Sequence, residues 1–259
     1  MKQNKFGLPP EYQKQPEYFD ALNVHDDTDK KNSVIENILR KHNVHTVLDL
    51  TCGTGSQVFW LVKHGFKVIG ADFSPALVEQ ARAKVAKEKI DVRFIDGDMR
   101  TLKVGQFDAV ITIFNAVGHL TKDEFKVAMK NIYSNLKDGG LYVFDIFNLS
   151  AMTDVAIDNF AMDWRKKVDA DQIDVMQHST IDRVSGQLTS YNNYTIQKGV
   201  SKPKKFKNKF ILQVYTASEL KEMLVTSGFE VVDLYGMDGS IFREDTTISI
   251  LMVAKKKKA

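Results

Sequence analysis

The stretch VLDLTCGTGSQV, from Val47 to Val58, decides how this chain is expected to fold. An apolar run contains Asp49, and Gly53 and Gly55 follow it two positions apart. A strand, a glycine turn and a helix in this order are typical of nucleotide-binding α/β units. Glycine allows the sharp turn and lets a ligand approach the backbone, because no β-carbon stands in the way. The turn alone leaves the ligand open.

The same turn lacks the marks of two common phosphate sites. A triphosphate loop would end in Gly-Lys-Ser/Thr, and no such lysine follows here. A dinucleotide site would carry a third glycine where Val58 stands. We therefore expect no pyrophosphate on the N-terminus of the helix that follows.

Strands and helices alternate outward from this turn. The segments read as strands are HTVLDLT, KVIGAD, VRFID, FDAVITIF and GLYVFDIF, with FEVVDLYG and TTISILMVAK at the end. Capping boxes are predicted at Thr121 with Glu124 and at Thr216 with Glu219. Short apolar strands between helices predict an α/β fold, a Rossmann-like, seven-stranded and mostly parallel sheet with helices on both faces.

Residues 173–215 break this rhythm, because polar and apolar residues alternate there around a turn near Ser185 and Gly186. Such alternation predicts a small antiparallel sheet inserted after the fifth strand. At that point it would cover the carboxyl ends of the parallel strands, where ligands bind in open sheets. The expected division is an N-terminal arm (1–30), a core (31–150 and 216–259) and an inserted antiparallel lid (151–215).

Composition limits the class of protein. A chain of 259 residues with 43% hydrophobic content can bury a full core. Its first residues lack the apolar stretch of a signal peptide, and its apolar runs are far shorter than the ~20 residues of a membrane span. The single cysteine, Cys52, excludes an internal disulfide and a cysteine metal cluster. We expect a cytoplasmic protein, with no membrane contact and no metal site.

The net charge of +3 hides two lysine clusters, at Lys202–Lys209 and Lys255–Lys258. Such clusters can bind nucleic acid or an acidic membrane surface. The favoured interpretation is that they keep a loop and a terminal strand soluble, because neither contains arginine and only Phe206 offers a stacking surface. A nucleic-acid partner is not expected, and the sequence leaves the oligomeric state open.

Further polar groups end the next strands. VIGADFS places Asp72 at the end of the second strand, where an acid can accept hydrogen bonds from both hydroxyls of a ribose. FIDGDM places Asp98 and the backbone of Met99 after the third strand, where they suit an adenine. The fourth strand delivers FNAVGHL to the same edge.

With these motifs in order, the chain resembles the class I S-adenosylmethionine-dependent methyltransferases, over residues 47–148 and the last two strands. The resemblance implies S-adenosylmethionine as cofactor, its methionine part on the glycine turn, its amino group at Asp49, its ribose at Asp72 and its adenine at Asp98 and Met99. Thr51 stands where the family usually has Gly or Ala, and its hydroxyl either contacts the cofactor or packs. The full set of expected cofactor-binding residues is Asp49, Thr51, Gly53, Thr54, Gly55, Asp72, Phe73, Asp98, Met99, Phe114 and Asn115.

Motifs that the sequence lacks narrow the range of possible methyl acceptors. The Asp/Asn-Pro-Pro-Tyr/Phe segment of amino-methylating nucleic-acid enzymes is absent, as are a Pro-Cys nucleophile and the acid cluster of metal-dependent enzymes. FDAVITIFNAVGHL is similar to the matching segment of glycine N-methyltransferases and nucleotide-sugar N,N-dimethyltransferases. We expect in-line methyl transfer to a small molecule, at nitrogen before oxygen. An RNA methyltransferase using the lysine clusters and a non-catalytic cofactor-binding module remain the alternatives.

Two residues are the candidates for catalysis. His119 is expected near the transferred methyl, as an orienting or proton-accepting group with a pKa suited to neutral pH, although packing at a helix start is an equal alternative. Tyr18 resembles the arm tyrosine that closes over the cofactor in related enzymes. A polar pocket is the weaker expectation, and a structural role the favoured one, for Tyr191, Tyr194, His178, Trp164 and Arg243.

Overall fold

The computed structural model describes residues 5–257 of the chain. Its strands are β1 (Thr46–Asp49), β2 (Lys67–Asp72), β3 (Arg93–Asp96), β4 (Phe107–Thr112), β5 (Leu136–Phe147), β6 (Met162–Val168), β7 (Asp171–Asp182), β8 (Gln187–Gln197), β9 (Lys204–Gln213), β10 (Phe229–Gly236) and β11 (Ser249–Lys256). Its α-helices are α1 (Phe19–Asn23), α2 (Thr28–Lys41), α3 (Ser56–Lys63), α4 (Pro75–Glu88), α5 (Lys122–Ser134), α6 (Asp154–Asp158) and α7 (Ala217–Thr226). Short 3₁₀ turns cover Pro10–Tyr12, Pro16–Tyr18, Ala116–His119 and Leu149–Ala151.

Seven strands form the main sheet, in the order β10-β11-β5-β4-β1-β2-β3. The neighbours among β1 to β5 pair in parallel, whereas β11 runs antiparallel to both β10 and β5. The predicted Rossmann-like, mostly parallel sheet is therefore confirmed. The strand order reverses between β1 and β4, and the carboxyl ends on either side of such a reversal form a crevice in which ligands bind.

Helices cover both faces of this sheet. Phe125 of α5 and Leu220 of α7 are fully buried in the core on one face. Ile35 of α2, Val58 of α3 and Val78 of α4 are fully buried in the core on the other. Because both faces are covered, the central strands are largely apolar, as their sequences indicated.

The two predicted capping boxes differ in the structure. Thr121 accepts from the backbone N–H of Glu124, and the Glu124 carboxylate accepts from the Thr121 N–H at 3.0 Å, so this box is complete. At α7 only half forms, because Thr216 accepts from the Glu219 N–H while the Glu219 carboxylate pairs with Lys122 at 2.5 Å. The second box was wrong in that half, since an ion pair with a distant lysine displaced the local hydrogen bond.

The second sheet is antiparallel, in the order β6-β7-β8-β9, and lies beside the carboxyl end of β4. Phe210 of β9 lies against His119, with ring centroids 6.2 Å apart. The chain near the N-terminus contacts the same sheet, because the Ile211 N–H donates to the Phe6 carbonyl at 2.8 Å. Chain from three parts of the sequence therefore meets over one edge of the main sheet.

Candidate active site

A cavity of about 650 Å³ lies at the carboxyl ends of β1 to β4. Its floor is formed by the residues that follow these strands, and its cover by residues from the first thirty positions. Lining residues from the cover are Leu8, Tyr12, Gln13, Phe19, Asn23, Val24 and Thr28. The cavity therefore occupies the position at which open parallel sheets bind their ligands.

The glycine turn and the end of β2 are tied together at the cavity floor. Gly53 adopts a φ of +53° and donates its N–H to Asp72 Oδ2 at 2.9 Å. Asp72 Oδ1 accepts from the Ser74 N–H at 2.9 Å, and Asp49 Oδ1 accepts from the Thr51 N–H at 3.0 Å. Local backbone donors thus fix both carboxylates at the edge of the sheet.

Burial changes the proton affinity of these acids. Asp49 and Asp72 are only 2% and 5% exposed. Desolvation raises the pKa of Asp49 to about 7, with the nearby charge of Asp72 adding to the effect, and raises the pKa of Asp72 to about 6. A positively charged ligand beside them would favour their ionised forms, so the cavity floor suits a cation.

Asp98 is held differently from the other two acids. Arg100 Nη2 pairs with Asp98 Oδ2 at 2.5 Å, and Arg100 Nη1 pairs with Glu124 at 2.6 Å. Burial alone would raise the pKa of Asp98, yet the hydrogen bonds and charge of Arg100 outweigh burial and hold the pKa below its usual value. Arg100 was not among the predicted site residues, although it lines the cavity two positions after Asp98.

The structure brings most of the predicted residues to this cavity. Those that line it are Asp49, Thr51, Gly53, Thr54, Asp72, Phe73, Asp98, Met99, Phe114 and His119. The Thr51 hydroxyl accepts from the Ile113 N–H at 3.2 Å, which links the glycine turn to the end of β4 and favours a structural role. Three predicted residues, Gly55, Asn115 and Tyr18, are not among the lining residues.

Gly55 and Asn115 shape the backbone instead. Gly55 is the N-cap of α3 with a φ of +92°, and a β-carbon there would lie 2.7 Å from the ring of Phe59 and 2.9 Å from the ring of Phe94. Asn115 has a φ of +59°, and its N–H is 3.3 Å from both carboxylate oxygens of Asp145. Gly55 is needed for close packing, and Asn115 for the turn after β4.

Replacing Gly55 with alanine is expected to lower the free energy of unfolding by about 2–3 kcal/mol, because strain from the positive φ and overpacking against the two rings add. Gly65→Ala is the matched control, since Gly65 has a φ of +89° and a β-carbon added there would meet no atom within 4 Å. The control is expected to cost only about 1 kcal/mol. Urea denaturation of both variants measures the difference, and equal losses would contradict the packing role.

Tyr18 lies away from the cavity, contrary to the role expected of it. Its side chain is 1% exposed, and its hydroxyl donates to Asp171 Oδ2 at 2.7 Å. Tyr12 occupies the position over the cavity, where its ring makes edge contacts with Phe19 at 5.3 Å and His119 at 5.4 Å. The Tyr12 carbonyl accepts from the Ser74 hydroxyl. Tyr12 was missed, although PEY occurs at both Pro10–Tyr12 and Pro16–Tyr18.

His119 lines the cavity, but its protonation differs from the prediction. Its side chain is 9% exposed, and burial lowers its pKa to about 4. Within residues 5–257, its Nδ1 has no hydrogen-bond partner. The imidazole is therefore neutral at neutral pH, and its buried Nδ1 is left without a partner among the described residues.

The remaining polar candidates do not line this cavity. His178 stacks on Tyr191 with ring centroids 5.0 Å apart, and Tyr194 stacks on Phe206 at 4.9 Å. Trp164 packs beside the second sheet's core, and Arg243 borders a separate depression. Their structural roles, the favoured interpretation, agree with these positions.

Two wider features bear on the class of chemistry. No group of three or more His, Cys, Asp or Glu side chains is placed to hold a metal ion in the described part of the chain. Among the helices of residues 5–257, none has the length and apolar character that a bilayer crossing requires.

Comparisons with known proteins indicate the class of protein that this chain resembles. Residues 47–140 match the methyltransferase domain family. The glycine/sarcosine N-methyltransferase of Parasynechococcus marenigrum is 28% identical over 164 residues, which are 55% of this chain and 57% of that protein. The glycine N-methyltransferase of Mus musculus is 35% identical over 123 residues, 42% of each chain. The match thus spans about half the length of these relatives.

Solved structures share the architecture. The sugar N-methyltransferase of a Streptoalloteichus species superposes with a TM-score of 0.78 at 17% identity, covering 100% of this chain and 96% of that one. The sheet order and the acids that end β1 and β2 define the class I S-adenosylmethionine-dependent methyltransferase fold. Residues 47–140 are thus similar to a methyltransferase domain, and the described chain has the fold of that class.

Proposed function

We propose that this protein transfers a methyl group from S-adenosylmethionine to a nitrogen atom of a small molecule. The observation that carries the proposal is the pair of buried acids, Asp49 and Asp72, on either side of the glycine turn. Burial raises the pKa of both carboxyls, so a cationic ligand beside them would stabilise their ionised forms. S-adenosylmethionine carries its positive charges on the sulfonium and the amino group.

The residues at the cavity suit each part of this cofactor. Asp72 would accept hydrogen bonds from the ribose hydroxyls, and Asp49 would face the amino group. Asp98, kept ionised by Arg100, and the backbone of Met99 would hold the adenine. The bare backbone of Gly53 leaves space beneath the ring of Phe19, which a β-carbon would approach to 3.1 Å. When bound, the cofactor supplies an electrophilic methyl group on sulfur.

The chain's own residues would orient the acceptor and exclude water. Tyr12 and Phe19 cover the cavity with aromatic rings, and Phe114 adds a ring from the end of β4. His119, neutral and with Nδ1 unpaired in the described structure, would accept a hydrogen bond from an N–H of the acceptor and direct its lone pair. Much of the rate of such a displacement comes from alignment, so a strong base is not required.

Nitrogen and a small acceptor are favoured over RNA for two reasons. Relatives and structural neighbours include glycine and sugar N-methyltransferases. Within the first lysine cluster, Phe206 is stacked on Tyr194, so it is not free to receive a nucleic-acid base. Both observations support a small molecule, and neither supports the RNA alternative.

The deciding experiment begins with calorimetry of S-adenosylmethionine and S-adenosylhomocysteine. Amines, amino acids, nucleotide sugars and tRNA are then screened as acceptors, with formation of S-adenosylhomocysteine as the readout. Micromolar cofactor binding and turnover of a small amine are expected. Failure to bind either cofactor form would overturn the proposal. Turnover of tRNA alone would favour the RNA alternative, and binding without any turnover the non-catalytic one.

Replacing His119 with asparagine is expected to lower kcat about 10-fold, because the acceptor loses its orienting partner. The affinity for S-adenosylhomocysteine is expected to stay within about 2-fold, since His119 lies beyond the cofactor's anchoring acids. Steady-state kinetics and calorimetry measure the two quantities. His178→Asn, on the second sheet away from the cavity, is the control. A pH–rate profile of wild type with a limb that His119→Asn removes near pH 6.5 would contradict the neutral imidazole.

A further inference from the structure

The cofactor of the proposed function has one anionic group, the carboxylate of its methionine part, and the charges around the cavity do not match it. Within residues 5–257, the only lysine or arginine that lines the cavity is Arg100, which already pairs with Asp98 and Glu124. The lining acids are Asp49, Asp72, Asp96 and Asp98. Recognition of the carboxylate by the residues that line the cavity would therefore rest on neutral donors.

The first turn of α3 is such a place. Its residues Ser56 and Gln57 line the cavity, and the turn contains no acidic residue. Its N-cap is Gly55, so no side chain caps the first backbone N–H groups. Free N–H groups and the positive end of the helix dipole favour an anion at this position.

A buried pair of amides lies at the same turn and points independently to a ligand. Asn32 of α2 is 1% exposed and Gln57 is 3% exposed. Gln57 Nε2 donates to Asn32 Oδ1 at 3.2 Å, while Asn32 Nδ2 and Gln57 Oε1 have no partner among the described residues. Buried amide groups are nearly always paired in folded proteins, so a ligand is the expected source of the remaining hydrogen bond.

The chemistry of the pair indicates an anion. Turning both amides by 180° reverses their mutual bond, so that Asn32 Nδ2 donates to Gln57 Oε1. Gln57 Nε2 then occupies the unpaired position and becomes a donor at the cavity wall. An anionic ligand would select this orientation because an anion needs hydrogen-bond donors. Asn32 can pair with Gln57 in either orientation of the amides.

We propose that Gln57, oriented by Asn32 and assisted by the first N–H groups of α3, binds the carboxylate of the cofactor's methionine part. This inference rests on the proposed use of S-adenosylmethionine. Asn32 is a positioning residue, and Gln57 makes the contact. The site thereby selects a cofactor that retains its carboxylate over a decarboxylated one.

The test compares S-adenosylhomocysteine with S-adenosyl-3-thiopropylamine, which lacks only the carboxylate, by calorimetry. Wild type is expected to bind the first about 10-fold more tightly or better, the range for a hydrogen bond to a charged group. Gln57→Leu is expected to lose about 10-fold in affinity for the first and to keep its affinity for the second within about 2-fold. Gln57→Glu is expected to lose about 100-fold for the first only, through like-charge repulsion. Gln80→Leu, on α4 outside the cavity, is the matched control.

The outcomes separate this inference from the proposed function. If wild type binds neither ligand, the proposed function fails. If wild type binds both equally, or if the Gln57 variants lose both in parallel, the inference is overturned and the pair only supports the helix packing. Binding of the decarboxylated ligand reports that each variant is folded. Asn32→Leu is expected to reproduce the loss of Gln57→Leu, because the amide of Gln57 then lacks its orienting partner.

Discussion

Replacing Asp72 with alanine is expected to weaken the binding of S-adenosylhomocysteine by about 100-fold or more. The carboxylate accepts from the Gly53 and Ser74 N–H groups, each at 2.9 Å, which fixes both oxygens at the cavity floor. Asp72 lines the cavity, where the two ribose hydroxyls would donate to its carboxylate. Two hydrogen bonds to a charged group, at about 1.5–3 kcal/mol each, correspond to a loss of at least about 100-fold.

Calorimetry at pH 8, where Asp72 is ionised, measures this loss. Asp91→Ala, which removes an exposed acid near the start of β3, is the control and is expected to leave the affinity unchanged. Thermal unfolding of the unliganded variant checks that the turn still folds. A loss of less than about 5-fold in a folded Asp72→Ala protein would remove Asp72 from the cofactor site.

The main sheet and the acids at its edge were predictable because their signals are local. An apolar strand that ends in an acid, followed by glycines, specifies its own turn, and Asp49 and Asp72 line the cavity as expected. The alternation of strands and helices likewise predicted the parallel sheet, because the spacing of apolar residues along the sequence reflects which faces are buried.

Side-chain contacts between residues that are far apart in the sequence were not predictable. Tyr12 and Tyr18 stand in identical PEY triplets, and only packing separates them, because the partner of Tyr18 is Asp171, 153 positions away. The second half of the capping box at Thr216 is missing because the Glu219 carboxylate pairs with Lys122, 97 positions away.

The prediction of the protonation of His119 was wrong for a related reason. A histidine's sequence context does not reveal how deeply the ring is buried, and burial alone lowers its pKa to about 4. Phe210 of β9 and Tyr12 both pack against the ring, and neither is a sequence neighbour. His119 lines the cavity as predicted, but its pKa lies below the neutral range that was predicted for it.

Replacing Asp49 with asparagine changes the free energy of unfolding of the unliganded protein, and this change is expected to be about 3 kcal/mol more stabilising at pH 8 than at pH 5. The carboxyl has a pKa of about 7 when folded, against an ordinary value of 3.8 for the free side chain. As the pH rises from 3.8 to 7, the unfolded chain has released this proton while the folded protein still holds it. Folded-state stability from Asp49 is therefore complete below pH 3.8 and lost by pH 7, at about 1.4 kcal/mol per pH unit.

The variant has to be compared with wild type because His119 makes the free energy of unfolding depend on pH with the opposite sign. Its pKa falls to about 4 on folding, so its contribution to stability rises between pH 4 and 6.5 and offsets part of the wild-type slope. The difference in unfolding free energy between Asp49→Asn and wild type removes this offset, because both proteins carry His119. Asparagine also keeps an oxygen for the Thr51 N–H.

Asp108→Asn provides the matched control, measured by urea denaturation at pH 5 and pH 8. Hydrogen bonds from Lys137 and Thr46 outweigh the burial of Asp108 and hold its pKa well below the usual range, so it is ionised at both pH values. Its substitution is expected to destabilise the protein equally at both. If the Asp49→Asn difference were also constant between pH 5 and 8, the carboxyl would already be ionised in the unliganded protein. The cavity floor would then have no unmet need for a cation, and the main support for the cofactor proposal would be lost.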